Sequence, residues 1–246
     1  LSRTPVDFVR ALGNGWRENL RGVLLDWATL SQAGELQRRG IPFIVVEDVL
    51  EAPGTVSVVQ DNAAGIAMAM DHLKGHGHRR IGLMLNVSTE THTRERRTAF
   101  RQFHLEHDLS YDPAYVVSVA EGGGREGLST LLDLSEPPTA VVAGGVGLVP
   151  GVMEELTARG MHCPEDLSVI AWASYAPYGL QEAPFPVSTV SWDERAMGRL
   201  AVRSLEDIVR NGVEERMTLR VKTELVDRGS VAVVGHESWV NNSRRS

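Results

Sequence analysis

Eight short apolar runs, separated by stretches of helical spacing or by turn-forming loops, restrict this chain more than any other feature. They are GVLLDW (22–27), PFIVVE (42–47), VSVVQ (56–60), RIGLML (80–85), AYVVSV (114–119), TAVVAG (139–144), LSVIAW (167–172) and VSTVSW (187–192). Several are continuous rather than alternating, as strands covered on both faces should be. Helical patterns fall at 4–18, 31–39, 61–75, 92–107, 125–133, 147–159 and 193–211. Strand–helix–strand repetition predicts an α/β fold, a parallel sheet with helices on both faces. The 246 residues, 42% hydrophobic and 23% charged, suffice for one large core or two ordinary ones.

The stretch DHLKGHGHRRIGLML (71–85) places His72 and His76 four apart, a spacing that puts two metal ligands on one helical face. No acidic or cysteine partner stands at a matching distance. Gly75 and Gly77 bracket a helix end, and His76, His78, Arg79 and Arg80 add donors and charge beside its last carbonyls. The cluster is therefore read as helix termination, with no metal. EGGGREG (121–127) contains G-x-G-x-x-G as Gly122, Gly124 and Gly127, between a strand and a helix. A dinucleotide loop also needs an acid at the end of the next strand, and VVAGGVG has none. The favoured reading is a flexible turn into a helix, with bare backbone open to a ligand.

No P-loop, G-x-S-x-G or H-E-x-x-H phrase occurs, and no cofactor is called for. Cys163, the only cysteine, reads as a spectator thiol in a Gly/Pro loop. It also precludes an internal disulfide and fits a reducing compartment, so a cytoplasmic location is expected. No apolar run approaches the roughly 18 residues of a membrane span, and no basic-then-apolar signal peptide opens the chain. A net charge of −7 is the wrong balance for a nucleic-acid-binding surface over the whole chain.

SVVQDNAAGIAMAMDHLKGHGHRRIGLM (57–84) resembles the signature stretch of LacI/GalR-type transcription regulators: V-x-x-D-N-x-x-G, then H-L, then G-H-R-R-I. TRERRTAFRQF (93–103), PPTAVVAGG (137–145), MHCPEDLSVIAW (161–172), STVSWDERAMGRLAV (188–202) and TELVDRGSVA (223–232) follow in the same order. The resemblance implies two α/β lobes of periplasmic-binding-protein type, joined by three crossovers. The first would be about 1–60 with 193–216 and incomplete at its N-terminus. The second would be 61–192 with 217–232, and 233–246 a tail. The resemblance further implies a small-molecule effector, sugar-like or another metabolite, in a cleft between the lobes. It implies a homodimer using the helix at 147–159 and the loop at 175–182. Operator DNA would be held by a helix-turn-helix domain outside this chain. A periplasmic solute-binding protein and an enzyme on the same scaffold are the alternatives.

The effector residues that the resemblance implies are Glu47, closing the second strand, and Arg96, at the start of the TRERR helix. Elsewhere the pattern breaks. The family's Asn-Asp after the TAVVA strand is Gly145-Val146, and its Asp after LSVIAW is Ala173, next to Ser174. Its Gln after STVS is Trp192, and its aromatic near 122 is a glycine beside Glu121. Directed hydrogen bonds to a sugar would be lost at these positions, each worth about 1 kcal/mol net. Trp172 and Trp192 would wall the cleft with aromatic surface, which favours a flatter or more apolar ligand; the alternative is ordinary core packing, the favoured reading for Trp172, with Trp192 left open between the two.

Overall fold

The computed structural model describes residues 20–26, 28–88, 90–145, 147–173 and 186–234. The helical pattern at 4–18, the loop at 175–182, Val146 and Ser174 lie outside them, as does the tail from 235. Two compact units result. Of these described residues, unit 1 takes those up to Asp61, those in Glu90–His92 and those in Asp193–Lys222, and unit 2 takes those in Asn62–Thr89, those in Thr93–Trp192 and those from Thr223.

Unit 1 is a four-stranded parallel sheet in the order β1-β2-β3-β9, formed by β1 Val23–Asp26, β2 Phe43–Val46, β3 Val56–Gln60 and β9 Met217–Val221. Helix α1 (Leu30–Arg38) starts at a capping box. Thr29 Oγ1 accepts from the Gln32 amide, and the Gln32 side chain returns a bond to the Thr29 amide. Its Ala33 and Leu36 close over Leu25, Phe43 and Val45, alternate residues of β1 and β2.

Unit 2 carries a six-stranded sheet in the order β10-β8-β7-β6-β4-β5. Its strands are β4 Ile81–Asn86, β5 Val116–Val119, β6 Ala140–Ala143, β7 Ser168–Trp172, β8 Ser188–Trp192 and β10 Thr223–Val226. All pairs are parallel except β10 on β8. Both faces are covered, which accounts for the unbroken apolar runs. Val141, Ala143, Val169 and Ala171 meet α4 (Gly124–Leu132) and α5 (Leu148–Arg159). On the opposite face, Trp172 and Val190 meet α2 (Asn62–Gly75) at Gly65. Helix α3 (Thr91–Glu106) follows β4, and in unit 1 α6 (Glu194–Asn211), capped by the Asp193 carboxylate on the Ala196 amide, packs on β1, β2 and β3.

Three features depart from the sequence reading. Residues 217–222, expected with the second lobe, lie in unit 1, because β9 pairs with β3 along its whole length. The chain passes into the other sheet at Thr223, where β10 joins β8 in the opposite direction. The run at 114–119 is strand only from Val116; Pro113–Tyr115 is a 3-10 turn capped by Asp112. Pro150, by contrast, fits the helical pattern read at 147–159: it is the third residue of α5, in the first turn where an amide has no intrahelical partner.

Candidate functional site

The sequence motifs that suggested chemistry find structural roles. His76 Nδ1 lies 2.8 Å from the His72 carbonyl, and the His78 amide donates to Leu73 O across Gly77, whose φ is 91°. This closes α2 as expected from the glycines. Among the described residues, no group of three or more His, Cys, Asp or Glu converges as a metal site. Burial pushes the Cys163 thiol up to about 12, so it is protonated at neutral pH.

The glycine-rich turn is not an open backbone platform throughout. A Cβ on Gly124 would sit 1.8 Å from the Leu148 carbonyl oxygen, and one on Gly151 2.4 Å from the Arg125 amide nitrogen. The glycines let the starts of α4 and α5 touch. Gly122, at φ 78°, is the turn itself.

His78 carries a measurable consequence. Its Nδ1 pairs with Thr139 Oγ1, and burial lowers its pKa to about 4. The unfolded chain, with an ordinary imidazole, takes up a proton first as pH falls, so stability drops through the window from about 6.5 to 4. Urea denaturation at pH 7 and pH 5 is expected to show a loss of which His78 contributes roughly 2 kcal/mol, a share absent from His78→Gln, with His72 and His104, also lowered by burial, contributing with the same sign. An unchanged pH slope in that variant would contradict the assignment.

At the carboxyl ends of the unit 1 strands, Glu47 follows β2 with φ 70°, an uncommon conformation for a residue with a side chain. Its amide donates to Val58 O at 3.0 Å, and its carboxylate accepts from Gln60 Nε2 at the end of β3. Asp48 Oδ1 accepts the Val49 and Thr91 amides, and Thr91 Oγ1 donates to Val49 O. At the end of β1, burial and then the Glu90 charge push the Asp26 carboxyl up. Unit 1 therefore presents acids at the ends of two adjacent strands.

In unit 2, Arg96 is 3% exposed. Its Nε donates to Asn62 Oδ1 at 2.9 Å and an Nη to the Gly144 carbonyl at 2.6 Å, while its guanidinium lies 4.0 Å from the centroid of the Trp172 ring. Asn62 in turn donates to Glu95 at 2.8 Å. The arginine thus ties the starts of α2 and α3 to the ends of β6 and β7. Gly145 lies against the Asn86 side chain, where a Cβ would come within 1.9 Å of Oδ1. Ala173 follows Trp172, half-buried, its amide donating to Val190 O. Trp192 ends β8, buried, with no acceptor for its Nε1; Trp172 Nε1 also lacks one.

The structure therefore groups Arg96, Gly145, Ala173 and the two tryptophans in unit 2, while Glu47 belongs to unit 1. Glu121 is exposed in the turn before α4, its side chain beside Gly147. Sequence reasoning gave no role to Asn62 or Gln60. Asn62 had a signal, as the Asn of the V-x-x-D-N-x-x-G phrase. Gln60 had none beyond its place at a strand end. The assembled groups donate, accept and stack, which suits binding.

The profile of the periplasmic binding protein-like domain matches residues 70–231. The chain is 28% identical over 203 residues to the HTH-type transcriptional repressor PurR of Haemophilus influenzae strain PittEE, covering 78% of this chain and 57% of that protein. It is 23% identical over 204 residues to the PurR repressor of Aliivibrio fischeri strain MJ11, again with 78% and 57% covered. It thus spans a little over half the length of these curated relatives. A LacI transcriptional regulator from a Rhodococcus species superposes with a TM-score of 0.79 at 29% identity, covering 96% of this chain and 85% of that one. The transcriptional regulator CelR in complex with cellobiose gives 0.81 at 25% identity, with 93% and 71% covered.

Proposed function

Since this chain belongs to the periplasmic-binding-protein-like family, as an effector-binding core of LacI/GalR type, we propose that it senses a small molecule and passes that signal to operator DNA. The observation that carries this reading is Arg96. An arginine is buried at the carboxyl ends of parallel strands, where open α/β sheets take their ligands, and it holds the backbone and an indole there in fixed positions. On this reading Glu47, strained and held by Gln60, is the acid of unit 1 that meets the effector. Arg96, Gly145, Ala173, Trp192 and, at the rim, Glu121 belong to the part of the binding surface in unit 2.

The mechanism is a shift of population. A ligand that favours one conformation of the core changes operator affinity only by its difference in affinity for the two conformations. DNA contact is assigned to a helix-turn-helix segment outside these 246 residues. A two-fold dimer suits a palindromic operator. Helix α5 is the candidate dimer element. Met153, Leu156 and Met161 give apolar lining to an open groove of about 390 Å³ along it. The relatives are regulators rather than solute carriers or enzymes, and the protein is assigned to the cytoplasm on that basis. No helix among the described residues is long and apolar enough to cross a membrane.

The test joins two measurements. Small metabolites are screened for a rise in the melting temperature of this chain, since a ligand stabilises by RT ln(1 + [L]/Kd). A compound that passes is expected to change the operator affinity of the full-length protein by about 5- to 150-fold. A tight ligand that leaves DNA binding untouched, or one that is chemically converted, would overturn the proposal.

A further inference from the structure

We propose that the small molecule met by unit 2 is an organic anion with an apolar body, of the aromatic carboxylate class, and that Trp172 and Trp192 select it. This rests on the effector-binding reading above. The two indoles are 4% and 6% exposed, and the Nε1 of each is buried without an acceptor. The register fixes their common direction. Trp172 pairs with Val190, and Trp192 lies two residues beyond Val190 on the same strand, so both side chains leave the same face of the sheet.

That is the face covered by α2. Gly65 has no Cβ, and the Trp172 ring edge comes within 2.5 Å of where one would sit, so the ring is clamped between the helix and the Arg96 guanidinium. Its N–H is thereby held in direction. The neighbouring strand ends contribute Gly144, Gly145 and Ala173, with no side-chain acceptor at any of the three. A sugar hydroxyl both donates and accepts, so it needs acceptors in its site. The two orphaned indole groups are both donors; Asn86 Oδ1, beside Gly145 at the end of β4, is the acceptor that accompanies them.

A buried unmade hydrogen bond is costly, so a carboxylate or oxo oxygen that reaches these N–H groups recovers what the unliganded protein forgoes. The Trp192 ring supplies apolar contact for the rest of the molecule. Neither nitrogen is open to solvent, so the acceptor must displace protein atoms as it enters. Binding is therefore coupled to local movement of the strand ends, as a sensor requires.

The experiment uses benzoate and indole-3-acetate as probes of the proposed class and cellobiose and glucose as neutral sugars. Affinities are read by thermal shift, and the two indole N–H resonances by NMR on protein carrying 15N-tryptophan. Both acids are expected to bind, moving both resonances downfield. Trp172→Phe and Trp192→Phe keep the ring and remove the donor, and each should weaken acid binding about fivefold. Parental far-ultraviolet circular dichroism and a cooperative urea transition control for folding. Acid binding that ignores both substitutions and leaves both resonances in place overturns the proposal. So does failure of both acids to bind. If the sugars bind instead, the selection of anions fails while the effector-binding reading stands. If no metabolite of any class shifts the melting temperature, that reading fails too.

Discussion

Gly124→Ala is expected to destabilise unit 2 by about 3 kcal/mol or more, measured by urea denaturation. In a helix the exchange ordinarily favours alanine by up to about 1 kcal/mol. Here the new methyl would sit 1.8 Å from the Leu148 carbonyl oxygen and 2.8 Å from its carbon. These are backbone atoms of the first turn of α5, and no rotamer change relieves the overlap. Helix α5 must move as a body, and it packs on the core through Leu148, Val152 and Leu156. Gly34→Ala, in the interior of α1, is the control: nothing lies within 4 Å of its added Cβ. It should be neutral or stabilise unit 1 by up to about 1 kcal/mol. Parental stability in Gly124→Ala would show that the α4–α5 contact does not require glycine.

Arg96→Ala should cost about 3–5 kcal/mol. It removes two charge-assisted hydrogen bonds and strands the Gly144 carbonyl and Asn62 Oδ1 in a buried place. It also uncovers one side of the Trp172 ring, so a change in near-ultraviolet circular dichroism should accompany the loss. Arg96→Lys keeps the charge but lacks the planar fork, cannot serve Asn62 and Gly144 in the same way, and should fall between the two. If Arg96→Ala were as stable as the parent, with unaltered tryptophan signals, Arg96 would not organise the strand ends. This stability cost is also why the ligand-selection test uses phenylalanine at the tryptophans rather than alanine at the arginine.

The strands of the sheets were legible because burial on both faces writes continuous apolar runs into the sequence. VSVVQ and STVSW are strands with every residue buried. Strands β9 and β10 went unrecognised as strands for the converse reason. MTLRV is half in solvent, with Met217 and Arg220 exposed, and TELV has only Thr223 buried. Their pairing with β3 and β8 is a long-range fact that no local pattern encodes. The position of Arg96 on the first turns after a strand was likewise legible. Its burial under Trp172 was not, since that depends on Gly65, distant in sequence, lacking a side chain. Gly122, Gly124 and Gly127 show the limit most clearly. A loop that bares its backbone to a phosphate and a turn that lets two helices touch use the same residue type, and only the neighbour tells them apart.

The two sheets are completed by adjoining segments, β9 and β10, with only Lys222 between them. During synthesis, the nascent polypeptide therefore holds β3 and β8 without these neighbours until almost the same moment on the ribosome. Until then two apolar strands lack their final hydrogen-bonding partners, and both sheets are templates for unwanted pairing. A nascent chain arrested with its residues up to Arg216 outside the exit tunnel should expose both edges at once, and one arrested with Val226 outside it neither.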